Sequence, residues 1–302
     1  MGMCTLFKLL SCTYIPKEVN FLKIWEAMIY AFVGGITELL PISFSGHSIL
    51  LQNMFHISSL FSDDGPFIRG GISIGIAIAL YMVFQGDTRE STLIVQKSKG
   101  RNLRNRRVRR EEEDLKSRVF LLTLIGFVPM LLSFLFLGKW ESTGKLTMVT
   151  VFFCINGILI FLCTRGQPGK KGEREITLYD TLLMGLFRML SVFPGLSSVS
   201  TSLCIGRARG LSDSVNIRIT YMLTLGFQVI SALFYIVRGI FVGSFYGRTI
   251  LSFLIVIPIA AVVSFFALIT FRNIVLKNKL RAFMYYCFDA AAIAFIVAII
   301  NG

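Results

Sequence analysis

The chain has 302 residues, of which 54% are hydrophobic, and its mean hydropathy is +0.71. A soluble protein of this apolarity could not cover its surface with polar groups, so the composition excludes a soluble globular fold and predicts several membrane-spanning helices. The net charge of +14 comes from Lys and Arg residues concentrated in a few connecting segments. That placement is typical of cytoplasmic loops, so no nucleic-acid partner is predicted.

The first predicted feature is a pair of apolar segments, at about 22–40 and 44–55, joined at Pro41 without a hydrophilic loop. The second segment is too short to cross a hydrocarbon core of about 30 Å, so the pair predicts a re-entrant helical hairpin. Glu38 and His47 flank the break. Ionisable side chains are costly in lipid and mark functional sites, which favours a polar site here. The alternative is that Glu38 caps a helix end and His47 lies hydrogen-bonded at the interface.

A second broken pair occupies about 178–205 and repeats the same pattern. Arg188 lies in an apolar run before a break at Pro194, and hydroxyl side chains follow the break. Paired interrupted segments in the two halves of a membrane protein indicate a binding site at a repeat interface. Six complete spans are predicted beside the two pairs, at about 66–85, 119–138, 146–163, 219–240, 249–271 and 284–301.

The basic segments predict the topology. The segment 87–118 carries eleven Lys or Arg residues and is interpreted as a cytoplasmic loop, together with 164–176, 206–218 and 272–283. Each half, 22–163 and 176–301, then contains one hairpin and three spans, so the second half lies inverted relative to the first. The predicted fold is a single all-α integral membrane domain, with six transmembrane helices and two re-entrant helical hairpins arranged as inverted repeats. Their breaks are expected to meet near the midplane.

Two motifs surround the breaks. The first reads Gly34-x-x-x-Glu38-x-x-Pro41-x-Ser43-Phe44-Ser45-Gly46-His47, and the second reads Pro194-Gly195-Leu196-Ser197-Ser198-Val199-Ser200-Thr201. With these motifs the chain resembles the bacterial undecaprenyl-diphosphate phosphatase family, whose motifs have the forms E-x-x-x-E-x-x-P-x-S-S-x-G-H and P-G-x-S-R-S-G-x-T. The resemblance extends over nearly the whole chain from about residue 22, and it implies the fold of inverted repeats.

The resemblance implies an integral-membrane hydrolase that converts undecaprenyl diphosphate, or a related polyprenyl diphosphate, to the monophosphate and phosphate. The implied location is the bacterial cell membrane, with membrane lipids as neighbours and a cleft that opens to the outer side; the oligomeric state is left open. The implied roles are His47 as acid–base group and Glu38 as catalytic group and ligand of a divalent cation, Mg²⁺ or Ca²⁺. The residues expected to bind the phosphates are Ser43, Ser45, Gly195, Ser197 and Ser198.

Three positions depart from the family pattern. Gly34 stands where the family has the first Glu, which weakens the expected cation site, and Phe44 stands where it has a Ser implicated in catalysis. Ser198 stands where the family has the Arg that would clamp the diphosphate. We expect Arg188, gained on the preceding half-helix, to supply the missing charge, because an Arg in an apolar run needs a partner and Glu38 or a bound phosphate would provide one. The alternative is that Arg188 extends to the membrane surface.

Arg69 near the predicted outer end of its span is interpreted as an interfacial anchor, with a second phosphate contact as the alternative. The departures also leave another function open. The fold could serve a non-catalytic polyprenyl-phosphate binder or carrier, although Glu38 and His47 would then have no evident purpose. A small-solute transporter would explain the repeats but not the motifs.

Overall fold

The structure, a computed structural model, describes residues 24–57, 60, 65–97, 103–135, 145–167, 169–242 and 247–301. These residues form α-helices and short 3₁₀ turns, and six of the helices are long and apolar enough to cross a membrane. The prediction of an all-α integral membrane protein with six spans is therefore confirmed. The α-helices of the described ranges are α1 Ile24–Thr37, α2 Phe44–Phe55, α3 Gly65–Lys97, α4 Leu103–Leu131, α5 Leu146–Arg165, α6 Leu178–Arg188, α7 Ser198–Ala208, α8 Asp213–Val242, α9 Gly247–Leu276 and α10 Arg281–Asn301.

The helices on either side of each break are short. Helices α1 and α2 have 14 and 12 residues, and α6 and α7 have 11 each, so none is longer than about 21 Å at a rise of 1.5 Å per residue. Each second helix begins at a serine N-cap: Ser43 Oγ accepts from Gly46 N–H, and Ser197 Oγ accepts from Ser200 N–H. The insertion of the two pairs from opposite faces of the membrane stays a prediction.

The first helix of each half of the chain packs against a helix of the other half. Helix α1 packs on α9 of the other half, and α6 packs on α4, while α3 pairs with α8 and α5 with α10. Both contacts of these first helices are close because a glycine lies in each. A Cβ on Gly35 would lie 3.2 Å from the carbonyl oxygen of Ala260, and one on Gly185 would lie 1.7 Å from that of Gly126. This symmetric packing supports the division at 22–163 and 176–301, which stays a prediction.

The segments predicted to be cytoplasmic meet at one end of the bundle. Arg118 donates to the carbonyl oxygen of Ile176 at 3.0 Å and so ties the end of one basic segment to the next. Two further contacts join the others, namely the ion pair of Arg218 with Glu173 and the hydrogen bond of Arg207 to Asn278 Oδ1. All four basic segments are therefore linked on the same side of the spans, as the charge pattern requires.

The interpretation of 87–118 as a loop is wrong in one respect. Helix α3 continues past its apolar part to Lys97, and α4 begins at Leu103, so most of this segment is helical. The apolar windows alone cover Gly65–Gln85 and Glu113–Phe134. The stretches 87–97 and 103–118 contain neither Gly nor Pro, and 103–118 is rich in Arg and Glu, which have high helix propensity.

Candidate functional site

A polar cavity lies beside the two helix breaks. Its empty volume is about 730 Å³, a figure that includes the open solvent at its mouth. Helices α3 and α8 form one side, and the two breaks form the other together with the 3₁₀ turns Leu132–Leu135 and Met189–Val192. The lining residues are Glu38, Ile42, Ser43, Phe44, Ser45, Arg69, Ile72, Ser73, Ile76, Ser133, Ser191, Val192, Leu196, Ser197, Ser198, Phe227, Gln228, Ser231 and Tyr235.

The breaks are joined by reciprocal hydrogen bonds. Ser43 of the first break accepts from the N–H of Gly195 at 3.1 Å, and Ser197 of the second donates to the carbonyl oxygen of Leu40 at 3.2 Å. Gly195 has φ +110°, and a Cβ there would lie 2.8 Å from the carbonyl oxygen of Val149, so a side chain is excluded on both grounds. The expected meeting of the two breaks is therefore present as direct contact.

Asn156 of α5 holds both breaks at once. Its Nδ2 donates to the carbonyl oxygen of Pro41 at 2.9 Å, and its Oδ1 accepts from the N–H of Ser197 at 3.2 Å and from the hydroxyl of Ser200. The side chain is fully buried, so these bonds satisfy backbone groups that the breaks would otherwise leave without partners. Sequence reasoning missed Asn156, although a lone amide in an apolar span is a signal for such a role.

Glu38 places a carboxylate in the cavity. It directly follows the last residue of α1, and its N–H still donates to the carbonyl oxygen of Gly34 at 3.1 Å, so the two residues keep helical spacing. The Oε1 of Glu38 accepts from Nε2 of Gln228 at 3.0 Å. Gln228 is 2% exposed and, as another isolated amide in an apolar span, was also missed. The pair fixes the orientation of the carboxylate at the cavity wall.

Arg69 is the second charged residue of the lining. It lies in the second turn of α3 and is 8% exposed, with its guanidinium carbon 5.7 Å from the centre of the Tyr235 ring. The interpretation of Arg69 as an interfacial anchor is wrong, because the side chain turns into the protein. Its direction depends on how α3 is rotated against α8, which the sequence pattern of α3 alone does not specify.

Arg188 lies behind the cavity wall. It is 1% exposed, its Nη1 donates to the carbonyl oxygen of Ser198 at 3.2 Å, and its guanidinium carbon is 5.8 Å from the centre of the Phe227 ring. Extension to the membrane surface is therefore excluded. Nε and Nη2 have no hydrogen-bond partner among the described residues. Arg188 is adjacent to two lining residues without lining the cavity itself.

His47 faces away from the cavity. One ring nitrogen, Nδ1, is 2.6 Å from the carbonyl oxygen of Ser43, and Nε2 is 2.7 Å from the hydroxyl of Tyr286 on α10. The ring stacks on Tyr286 at 5.7 Å and meets the edge of Phe153 at 5.2 Å. Both nitrogens are thus engaged by the protein, and the structure does not bring His47 together with Glu38.

The residues expected to bind phosphate are mostly assembled at the cavity. Ser43, Ser45, Ser197 and Ser198 line it, whereas Gly195 does not. The hydroxyls of Ser43 and Ser197 are also used in the contacts between the breaks, as is the N–H of Gly195. The side chains of Ser45 and Ser198, in the first turns of α2 and α7, are the ones without such a contact.

Comparison with known proteins gives a consistent result. The family model described as "Bacitracin resistance protein BacA" matches residues 27–293. A protein named undecaprenyl-diphosphatase from Methanobrevibacter smithii is 25% identical over 281 residues, which cover 92% of this chain and 99% of that protein. Undecaprenyl-diphosphatase 1 from Shouchella clausii is 26% identical, with coverages of 91% and 96%. Undecaprenyl-diphosphatase from Thermosipho africanus is also 26% identical, with coverages of 89% and 98%.

Proposed function

Because the chain belongs to the bacitracin resistance protein BacA family, we propose that it hydrolyses undecaprenyl diphosphate, or a related polyprenyl diphosphate, in a bacterial cell membrane. The observation that carries the proposal is the cavity at the contact of the two helix breaks, whose lining combines a carboxylate, a guanidinium and several hydroxyls. The apolar side chains of the same lining, such as Ile72, Ile76 and Phe227, suit the first isoprene units of the lipid.

The reaction breaks one phosphoric anhydride bond. Water attacks the terminal phosphorus, its proton passes to a base, and the bridging oxygen leaves with the lipid monophosphate. Glu38 is the base in this proposal, because it is the carboxylate in the lining and Gln228 holds its orientation. Phosphoryl transfer depends mainly on positioning and on positive charge near the transferred oxygens. Arg69 supplies that charge from the cavity wall, and Arg188 adds a second charge behind Ser198.

His47 acts indirectly in this proposal. It contacts the carbonyl oxygen of Ser43, and Ser43 in turn accepts from the N–H of Gly195. His47 therefore positions the contact between the breaks, and proton transfer is assigned to Glu38. The acid–base role that the resemblance implied for His47 stays a prediction.

The cavity is proposed to open to the outer side of the membrane. Arg118 and Arg218 mark the end of α4 and α8 at which the basic segments meet, and the lining residues Ser133 and Tyr235 lie 15 and 17 positions further along these chain segments. At 1.5 Å per residue this separation is about 22–25 Å, most of a hydrocarbon core. If the basic end is cytoplasmic, as the positive-inside rule indicates, the cavity belongs to the outer half.

A carrier or binder that does not hydrolyse is the other candidate, and the comparisons give it no support. Release of phosphate from undecaprenyl diphosphate by the purified protein in detergent micelles separates the two. The proposal expects one phosphate and one lipid monophosphate per diphosphate consumed, and no release from undecaprenyl monophosphate. Binding of the diphosphate without any release would refute hydrolysis and favour the carrier. Glu38→Gln, which keeps the shape of the side chain and removes the base, is expected to abolish release.

A further inference from the structure

The space for a second carboxylate beside Glu38 is filled by an aromatic ring. A Cβ added to Gly34 would lie 3.1 and 3.3 Å from Cε2 and Cζ of Phe44, and 2.9 Å from Cγ2 of Ile72. A longer side chain at position 34 would therefore have to displace the Phe44 ring. The departures at Gly34 and Phe44 are thus one packing arrangement, in which the ring covers the bare helix surface at the glycine.

The donors that remain do not fit a divalent cation. Mg²⁺ and Ca²⁺ take six or more oxygen ligands, and carboxylates carry most of the compensating charge. Within the ranges that the structure describes, no three His, Cys, Asp or Glu side chains are grouped for metal binding. Glu38 is the carboxylate of the lining, and its Oε1 already accepts from Gln228, while the other charged residue of the lining is Arg69. The expected Mg²⁺ or Ca²⁺ site is not formed by these residues.

A guanidinium takes the place of the cation at the cavity wall. Positions 69, 72, 73 and 76 share one face of α3 by helical spacing, and all four line the cavity. Arg69 on this face is 8% exposed, and its guanidinium lies over the Tyr235 ring. The planar fork of an arginine suits two phosphate oxygens at once, and its charge acts more strongly where water is largely excluded.

We propose that Arg69 binds the diphosphate in place of a divalent cation, so that binding and hydrolysis by this chain do not require one. In this arrangement the diphosphate lies between Arg69 and Glu38. The ring face of Tyr235 orients Arg69, and the side-chain amide of Gln228 orients Glu38. The inference rests on the proposed function for the identity of the diphosphate. It assigns to Arg69 the role that the family pattern led us to expect from a metal ion.

The test measures binding of farnesyl diphosphate, a soluble prenyl diphosphate, to the detergent-purified protein by calorimetry. The measurement is made with EDTA and again with added Mg²⁺ or Ca²⁺. The parent is expected to bind with similar affinity in both conditions. Arg69→Gln should weaken binding about 10-fold or more, because a charged hydrogen bond to the phosphate is lost. Arg165→Gln is the matched control, since Arg165 also lies over an aromatic ring, that of Phe161, but on the exposed end of α5.

The outcomes separate the inference from the proposed function. Binding by the parent that disappears in EDTA and returns with the cation overturns the inference, as does parental binding by Arg69→Gln. Should Arg69→Gln not fold, Arg69→Lys replaces it and is expected to bind more weakly than the parent, and the EDTA comparison needs no variant. Normal binding in EDTA without release of phosphate in either condition contradicts hydrolysis and leaves Arg69 as the diphosphate ligand, whereas release only with the cation overturns the inference. A parent that binds in neither condition overturns both.

Discussion

Arg188 and Ser198, ten residues apart in the chain, are in direct contact: Nη1 of Arg188 donates to the carbonyl oxygen of Ser198 at 3.2 Å. The break at Pro194 folds the two half-helices against each other and brings the residues together. Ser198 lines the cavity, and Arg188 lies behind it. The charge that the family pattern places at 198 is therefore present within one side-chain length of that position, on the other arm of the same broken pair.

The contact predicts that a positive charge at position 198 can replace the one at position 188. Arg188→Gln should weaken prenyl-diphosphate binding, because a buried positive charge near the phosphates is lost. Adding Ser198→Arg should recover it, since a side chain at 198 projects into the cavity. Binding of farnesyl diphosphate by both variants is the measurement. Parental binding by Arg188→Gln alone would show that its charge does not act on the ligand.

The two bonds of His47 predict that an amide can replace the imidazole. Asn53 on the same helix already makes the bond that His47 makes, from Nδ2 to a carbonyl oxygen four residues earlier, at 2.8 Å. His47→Asn should therefore keep turnover within about 10-fold of the parent. Loss of an acid–base group would instead lower turnover ~10²–10⁴-fold. His47→Ala should lose more. The pH dependence of phosphate release is the second readout. A pH profile that is flatter in His47→Asn than in the parent would show that the imidazole of His47 transfers the proton.

Gly34 and Phe44 should behave as a coupled pair. Gly34→Glu alone is expected to lower the melting temperature in detergent, because its Cβ would lie within 3.1 Å of the Phe44 ring. Phe44→Ser in the same chain should recover part of that loss, since it removes the obstructing ring. The double variant would also carry carboxylates at 34 and 38, one helical turn apart. Ca²⁺ is therefore expected to raise the melting temperature of the double variant and not that of the parent. Additive melting shifts without a Ca²⁺ response would contradict this account.

Asn156 should be needed for the assembly of the breaks. Asn156→Ala leaves the N–H of Ser197 and the carbonyl oxygen of Pro41 without the amide, and each buried polar group left unpaired costs about 1–3 kcal/mol. A clear loss of thermal stability is expected. Asn53→Ala is the control, because Asn53 is half-buried and its side chain bonds to the carbonyl oxygen of Ile49 within its own helix. Equal stability losses in the two variants would argue against a special role for Asn156.

The sequence predicts the spans and the positions of the breaks because both depend on local features. Long apolar runs specify membrane helices, and the Pro-x-Ser and Pro-Gly-x-Ser steps stop one helix and cap the next. The direction in which a side chain points around its helix depends on how that helix packs against its neighbours, which local sequence does not specify. The directions of Arg69 and His47 depend on the rotation of α3 against α8 and of α2 against α10, and the sequence patterns of α3 and α2 do not specify these rotations. Asn156 was missed for a related reason, since its partners are separated from it by 115 and 41 positions.

We propose that the diphosphate is hydrolysed in the cavity beside the breaks, and a bulky side chain placed in this cavity tests the proposal. Ser231 of α8 lines the cavity and is 2% exposed, whereas Leu233 on the same helix is 61% exposed on the outer surface of the bundle. Phosphate release from undecaprenyl diphosphate is measured for Ser231→Phe and Leu233→Phe, each shown to be folded by its melting temperature. We expect release near background for Ser231→Phe and at the parental rate for Leu233→Phe. Parental release by a folded Ser231→Phe would contradict it.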